Sequence, residues 1–114
     1  MKHVMNLQPA PFRMIADGTK TVELRLYDEK RQKIRIGDGI EFVNTEDPSE
    51  TMEVTVTDLW RFDSFAELYR NLPPERFGYT ESTLPTASPE DMEQYYSKER
   101  QKQYGVLGIG IAKK

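Results

Sequence analysis

The chain has 114 residues, and its 16 lysines and arginines against 19 acids leave a formal net charge of −3. That fits one domain, residues 1–114, large enough to fold without metal or disulfide support, and its overall charge is wrong for a general nucleic-acid magnet. The absence of cysteine and the single histidine, His3, exclude a disulfide framework, a thiolate nucleophile, a cysteine zinc site and a Ser-His-Asp triad.

No apolar run approaches the ~20 residues that span a bilayer, and Met1–Asn6 lacks the apolar centre of a signal peptide. The chain therefore reads as a cytoplasmic protein with no membrane partner, no metal and no cofactor. His3 reads as a surface residue near the terminus.

In chain order, Val4–Leu7 reads as a short first strand. Pro9 and Pro11 suit a helix entrance, where a missing N–H costs nothing. Phe12, Ile15 and Ala16 are spaced for one helical face, and Asp17-Gly18 ends that helix. The following strand, about Lys20 to Tyr27, sorts its side chains by parity. Val22, Leu24 and Leu26 point one way; Thr21, Glu23, Arg25 and Tyr27 point the other. Lys20 stands at the helix-strand junction, where a long cation can reach across the strand end.

Asp28 to Lys33 reads as a charged loop, and Ile34-Arg35-Ile36 as a strand end before the turn Gly37-Asp38-Gly39. Ile40–Asn44 is a strand, Thr45–Ser49 a polar hairpin loop, and Thr51–Asp58 an alternating strand that Leu59–Phe62 extends through a bulge. Ser64 and Glu67 fit a capping box for a helix with Phe65, Leu68, Tyr69 and Leu72 on its buried face, stopped by Pro73-Pro74. Glu75–Ala87 reads as a loop. A further helix is predicted from Ser88-Pro89 to Gly105, with Met92, Tyr95 and Tyr96 on its apolar side. Tyr95, Tyr96 and Tyr104 read as core-facing. The last strand is Val106–Ile111; Gly108 and Gly110 leave one face bare, so a backbone or a ligand is expected close to it.

With no strict β-α-β alternation, a doubly wound parallel sheet does not fit. The reading is mainly β with α+β content: a small, partly closed barrel of five or six strands with about three flanking helices.

The row Lys20, Thr21, Glu23, Arg25 is the candidate site. Lys20 and Arg25 can hold a phosphate, a carboxylate or a base edge while Glu23 pairs with a donor on the ligand. The competing reading is a surface ion pair worth ~0–1 kcal/mol. Arg31 and Lys33, in the basic run Lys30–Arg35, offer a phosphate-contacting rim or a solvated loop. Tyr27 and Trp60 can stack on bases or simply pack. Neither a GxGxxG nor a Walker A pattern is present.

Pro11-Phe12, Ile15, the run Gly18-Thr19-Lys20-Thr21-Val22-Glu23-Leu24-Arg25 and then Gly37-Asp38 together resemble the signature of the ASCH domain family, related to PUA domains. Met92–Ser97 and Tyr104–Ile109 resemble a bacterial branch of it, so the likeness covers nearly the whole chain. The resemblance implies a PUA-like β-barrel with a cleft beside the GxKxxExR strand. It also implies binding of RNA, a nucleotide or a modified nucleoside there, with Lys20, Thr21, Glu23, Arg25, Tyr27, Arg31 and Lys33 as ligand-binding residues.

Some members are amidohydrolases that deacylate N4-acylcytidine with a lysine base, a threonine nucleophile and a later glutamate. The lysine matches Lys20. The threonine's place is Glu23, and Thr21 is a hydroxyl at a different offset. Glu75 and Glu81 lie in the region of the later acid. That reading makes Lys20, Thr21 and Glu23 the catalytic candidates. A nuclease with Glu23 as base, and a non-catalytic protein-interaction module, are the remaining readings.

Overall fold

The computed structural model describes residues 1–114. Five strands, β1 (Lys2–Leu7), β2 (Val22–Leu26), β3 (Gly39–Asn44), β4 (Thr51–Phe62) and β5 (Val106–Lys113), form one sheet in the order β1-β3-β4-β5-β2. β1 runs parallel to β3 and every other pairing is antiparallel. The sheet curls into a half-barrel carrying three α-helices: α1 (Pro9–Asp17), α2 (Phe65–Asn71) and α3 (Lys98–Tyr104). The architecture is α+β, as the sequence implies, with five strands.

The curl gives the sheet two cores. Inside it, Phe42, Ile40, Val54, Val56 and Ile109 are sealed by Phe12 and Ile15 of α1. Outside it, Val22, Leu24, Leu26 and Val106 pack against Phe65 and Leu68 of α2 and against Phe77. Each such side chain contributes about 1.5–3 kcal/mol on burial. β2 therefore lies between two apolar layers, and the row Glu23 and Arg25 faces the barrel interior, not solvent. The register confirms the direction: Glu23 stands opposite Ile109 and Arg25 opposite Leu107.

Local chemistry explains most boundaries. α1 opens on Pro9 and ends on Gly18, whose φ of 87° lets the chain reverse into β2. A register shift between Val56 and Asp58 supplies the bulge in β4. At α2, the Ser64 hydroxyl accepts from the Glu67 N–H, but the Glu67 carboxylate accepts from Asp63 N–H, one residue before the position a capping box requires.

Five expectations are corrected. Tyr95 is not core-facing but exposed, while Tyr96 and Tyr104 are half-buried. Ile34–Ile36 is not a strand: Ile34 is buried, Ile36 is exposed, and the chain turns there because the Asp38 carboxylate accepts from the Arg35 N–H. His3 is not a surface residue but is half-buried, with Nε2 2.8 Å from the same carboxylate. These bonds, with His3 the largest influence, hold Asp38 down to about 2. The helix predicted from Ser88 is two elements, a 3-10 turn at Pro89–Met92 and then α3. The break leaves Tyr96 free to stack on Phe65 at 5.8 Å, while its carbonyl accepts from Gln101 and Ser97 caps the new helix by accepting from Arg100 N–H. Finally, no ligand space lies over the bare face of β5: a Cβ on Gly108 would stand 3.1 Å from Leu72 Cδ1, and one on Gly110 2.9 Å from Thr57 Oγ1.

Candidate functional site

β1 and β2 are the two outer strands of the sheet, and the gap between them is where the half-barrel stays open. A cavity of about 500 Å³ occupies this gap. That lies within the ~300–1,000 Å³ usual for small-molecule sites. Its floor is Lys20, Glu23 and Arg25. One side is the end of β1 with Asn6, Leu7 and Gln8. The other side is aromatic, with Tyr69, Phe77, Tyr79, Tyr95 and Tyr96, and Asp91 stands at the rim.

Glu23 is the centre of the floor. It is 3% exposed, and its carboxylate accepts from four directions. Lys20 Nζ is 2.8 Å from Oε1 and the Leu24 N–H donates to the same oxygen at 3.2 Å. Arg25 binds Oε2 with two parallel bonds, from Nε at 3.0 Å and from Nη2 at 2.8 Å. Burial opposes the charged carboxylate, but the adjacent Lys20 and Arg25 charges outweigh it and hold the group down at about 2. Burial likewise acts against the Arg25 charge, and Glu23 more than restores it, raising the guanidinium above its ordinary value. Arg25 Nη2 also donates to the Asn6 carbonyl at 2.9 Å, tying the two outer strands together.

Two cations thus keep donors for a visitor. An ammonium has three N–H groups and a guanidinium five. The only acceptor held by Lys20 is Glu23, and Arg25 Nη1 has no acceptor in the protein. Gly78, at φ 107°, lets the Phe77–Tyr79 segment lie against this floor: a Cβ there would stand 3.0 Å from Met14 Sδ and 3.5 Å from Lys20 Cδ.

The aromatic side is held by a chain of hydroxyls. Tyr69 and Tyr79 Oη lie 2.9 Å apart, and Tyr79 donates to Asp91 Oδ2 at 2.6 Å. Burial, then the bonds to Asp91 and Tyr69, push the Tyr79 phenol well above its ordinary value. Tyr96 is raised by burial, with the charges of Arg25 and Arg31 pulling the other way.

The other candidate residues are placed apart from the cavity. Thr21 precedes β2; its Oγ1 accepts from Arg76 Nε at 3.0 Å and its N–H donates to the Arg76 carbonyl. Tyr27 packs on the inner core beneath the Arg61 guanidinium, 4.6 Å from the ring centroid. Arg31 pairs with Asp28 at 3.4 Å, and Lys33 is exposed. Trp60 lies under Arg76. Glu75 and Glu81 are exposed and neither lines the cavity. Conversely, Tyr69, Tyr95 and Tyr96 read in the sequence as core-facing, and no site role is readable there for the aromatic wall or Asp91. They come from α2, the 74–79 turn and the 89–96 segment, whose convergence no local spacing encodes. No group of three or more His, Asp or Glu side chains is placed to hold a metal ion, and no helix is long and apolar enough to cross a membrane.

The model of the ASCH domain family matches residues 5–114. Among solved structures, the hypothetical protein PH0355 is 33% identical with a TM-score of 0.82, each chain covering all of the other. Protein PF0455 from Pyrococcus furiosus is 30% identical with a TM-score of 0.72, over 99% of this chain and 97% of that one. The ASCH protein of Zymomonas mobilis, crystallised as an S128A mutant, shares the fold at a TM-score of 0.70 but only 13% identity, and the likeness spans 67% of its length. No curated protein matches the chain.

Proposed function

The chain belongs to the ASCH domain family, a PUA-like family associated with RNA binding, and from that premise we propose that it binds RNA, a nucleotide or a modified nucleoside in the cavity between β1 and β2. The observation that carries the reading is the floor: two half-buried cations locked on one buried carboxylate, with spare donors beneath a wall of aromatic rings. Fixed donors read acceptors on a base or sugar, and aromatic faces accept a base by stacking at ~1–3 kcal/mol each.

The geometry favours binding over catalysis. In the deacylase reading Lys20 activates a hydroxyl, but Thr21 is engaged with Arg76 and lines no part of the cavity. Glu23, at the family's threonine position, is saturated with donors. The same saturation speaks against a nuclease: a carboxylate held ionised at about 2 is a weak proton acceptor near neutral pH. A cavity of about 500 Å³ also fits a small ligand better than a protein-interaction surface, which is broad and shallow.

The test is titration of the protein, followed by NMR, with single-stranded RNA, the ribonucleosides and their 5′-monophosphates. Binding is expected, with shifts at Lys20, Glu23, Arg25, Tyr79 and Tyr96. Lys20→Met, which keeps the stem, and Arg25→Lys, which keeps the charge, are each expected to weaken it at least tenfold, since a charged hydrogen bond contributes about 1.5–3 kcal/mol. Thermal melts establish that both variants fold. No binding by any of these ligands, or full binding by both variants, overturns the reading. Incubation with N4-acetylcytidine is expected to release no cytidine; turnover would establish the deacylase instead.

A further inference from the structure

We propose that the cavity takes an uncharged nucleobase by its polar edge and leaves the phosphate outside. This rests on the nucleic-acid reading above and specifies which part of the ligand enters.

The argument is one of charge balance. The ionisable side chains that line the cavity with a formal charge are Lys20, Arg25, Glu23 and Asp91, two positive and two negative. Arg31 and Asp28, paired with each other at 3.4 Å outside the lining, also sum to zero. A phosphate monoester carries about −1.5 to −2 charge at pH 7. Carrying it past Asp91 onto a floor whose cations already serve Glu23 would strip its water without a compensating charge, which is costly. The basic residues that could meet a phosphate more cheaply, Lys30 and Lys33, are exposed and lie outside the cavity.

An uncharged ring meets no such penalty. Lys20 Nζ and Arg25 Nη1 offer donors at the floor. Asp91 offers an acceptor at the rim: its Oδ2 is bound by Tyr79 and by the Ser88 N–H, while Oδ1 takes no bond from the protein. The complementary ligand edge carries a ring carbonyl or ring nitrogen acceptor beside an N–H or NH₂ donor, which is the edge of a nucleobase. Tyr95 and Tyr96 and the Phe77–Tyr79 segment supply faces for its ring.

The experiment is calorimetric titration of the full chain with the four ribonucleosides, their 5′-monophosphates and ribose 5-phosphate, at 50 and 300 mM salt, where the Debye length falls from about 14 to about 6 Å. At least one nucleoside is expected to bind, its monophosphate within about threefold of it, with less than a twofold change between the two salts and no competition from ribose 5-phosphate. Asp91→Asn, which removes one negative charge at constant size, is expected to shift the preference severalfold towards the monophosphate. A monophosphate that binds tenfold more tightly than its nucleoside, or ribose 5-phosphate that competes, overturns the inference while leaving the nucleic-acid reading intact. A folded Asp91→Asn protein with an unchanged preference overturns the charge argument. Failure of every nucleoside, nucleotide and RNA to bind overturns both.

Discussion

Glu23 is a buried acid that takes part in stability as well as in the site. Its folded-state value of about 2 lies below the 4.5 of a free glutamate, so the unfolded chain binds the proton more readily and stability rises with pH. The contribution is present above about 4.5 and disappears as pH falls through about 2. The displacement corresponds to roughly 3 kcal/mol, a large share of the ~5–15 kcal/mol of a small domain. Urea melts at pH 7, 4 and 2.5 should show the wild type losing more stability than Glu23→Gln over this range. Parallel losses would mean that Glu23 is not the acid-labile group; Asp38, also held low by His3 and Arg35, titrates in the same window and stays intact in the variant. Parity in the sequence aligned Glu23 with Arg25, and the junction placed Lys20 within reach. Parity could not tell which face is wet, because β2 buries both, and that is why Glu23 reads in sequence as half of a surface pair.

Among the elements, β5 shows how a strand without side chains on one face is used. Leu72 covers Gly108, and Thr57 and Asp58 at the β4 bulge cover Gly110. Gly110→Ala would bring a methyl group 2.9 Å from Thr57 Oγ1 and 3.0 Å from Asp58 Cβ, and overpacking of this kind costs about 1–3 kcal/mol. Gly39→Ala is the control, since nothing lies nearer than 3.7 Å to its Cβ. A thermal melt should separate the two by several degrees; equal midpoints would show that the bulge yields freely. The bare face was legible from the alternation of glycine with leucine and isoleucine, but its occupant was not, because Leu72, Thr57 and Asp58 are far from it in sequence. The split of the last predicted helix was hidden for a related reason. Met92, Tyr95 and Tyr96 carry helical spacing, and the stacking of Tyr96 on Phe65 outweighs it.

For the whole molecule, the half-barrel and its family were readable from strand alternation, turn residues and the GxKxxExR run. The cavity was not, because it belongs to the gap between β1 and β2, strands adjacent in the chain but at opposite ends of the sheet order. Arg25 spans that gap through the Asn6 carbonyl, so one guanidinium both presents donors to the cavity and holds its two banks together. A ligand that engages Nη1 is expected to stiffen this tie. Amide hydrogen exchange should slow at residues 5–8 and 22–26 on binding, and exchange changes confined to an outer loop would place the ligand elsewhere.

The strand order has one more outcome. β5, the fifth strand in chain order, sits between β4 and β2 and is the only sheet neighbour of β2. While a ribosome is still holding residues 106–113, Lys20, Glu23 and Arg25 have long been synthesised yet have no strand to anchor them. The floor is thus assembled only once residues 106–113 are in place, and a nascent chain stalled before Val106 would carry every residue of the floor without the floor itself.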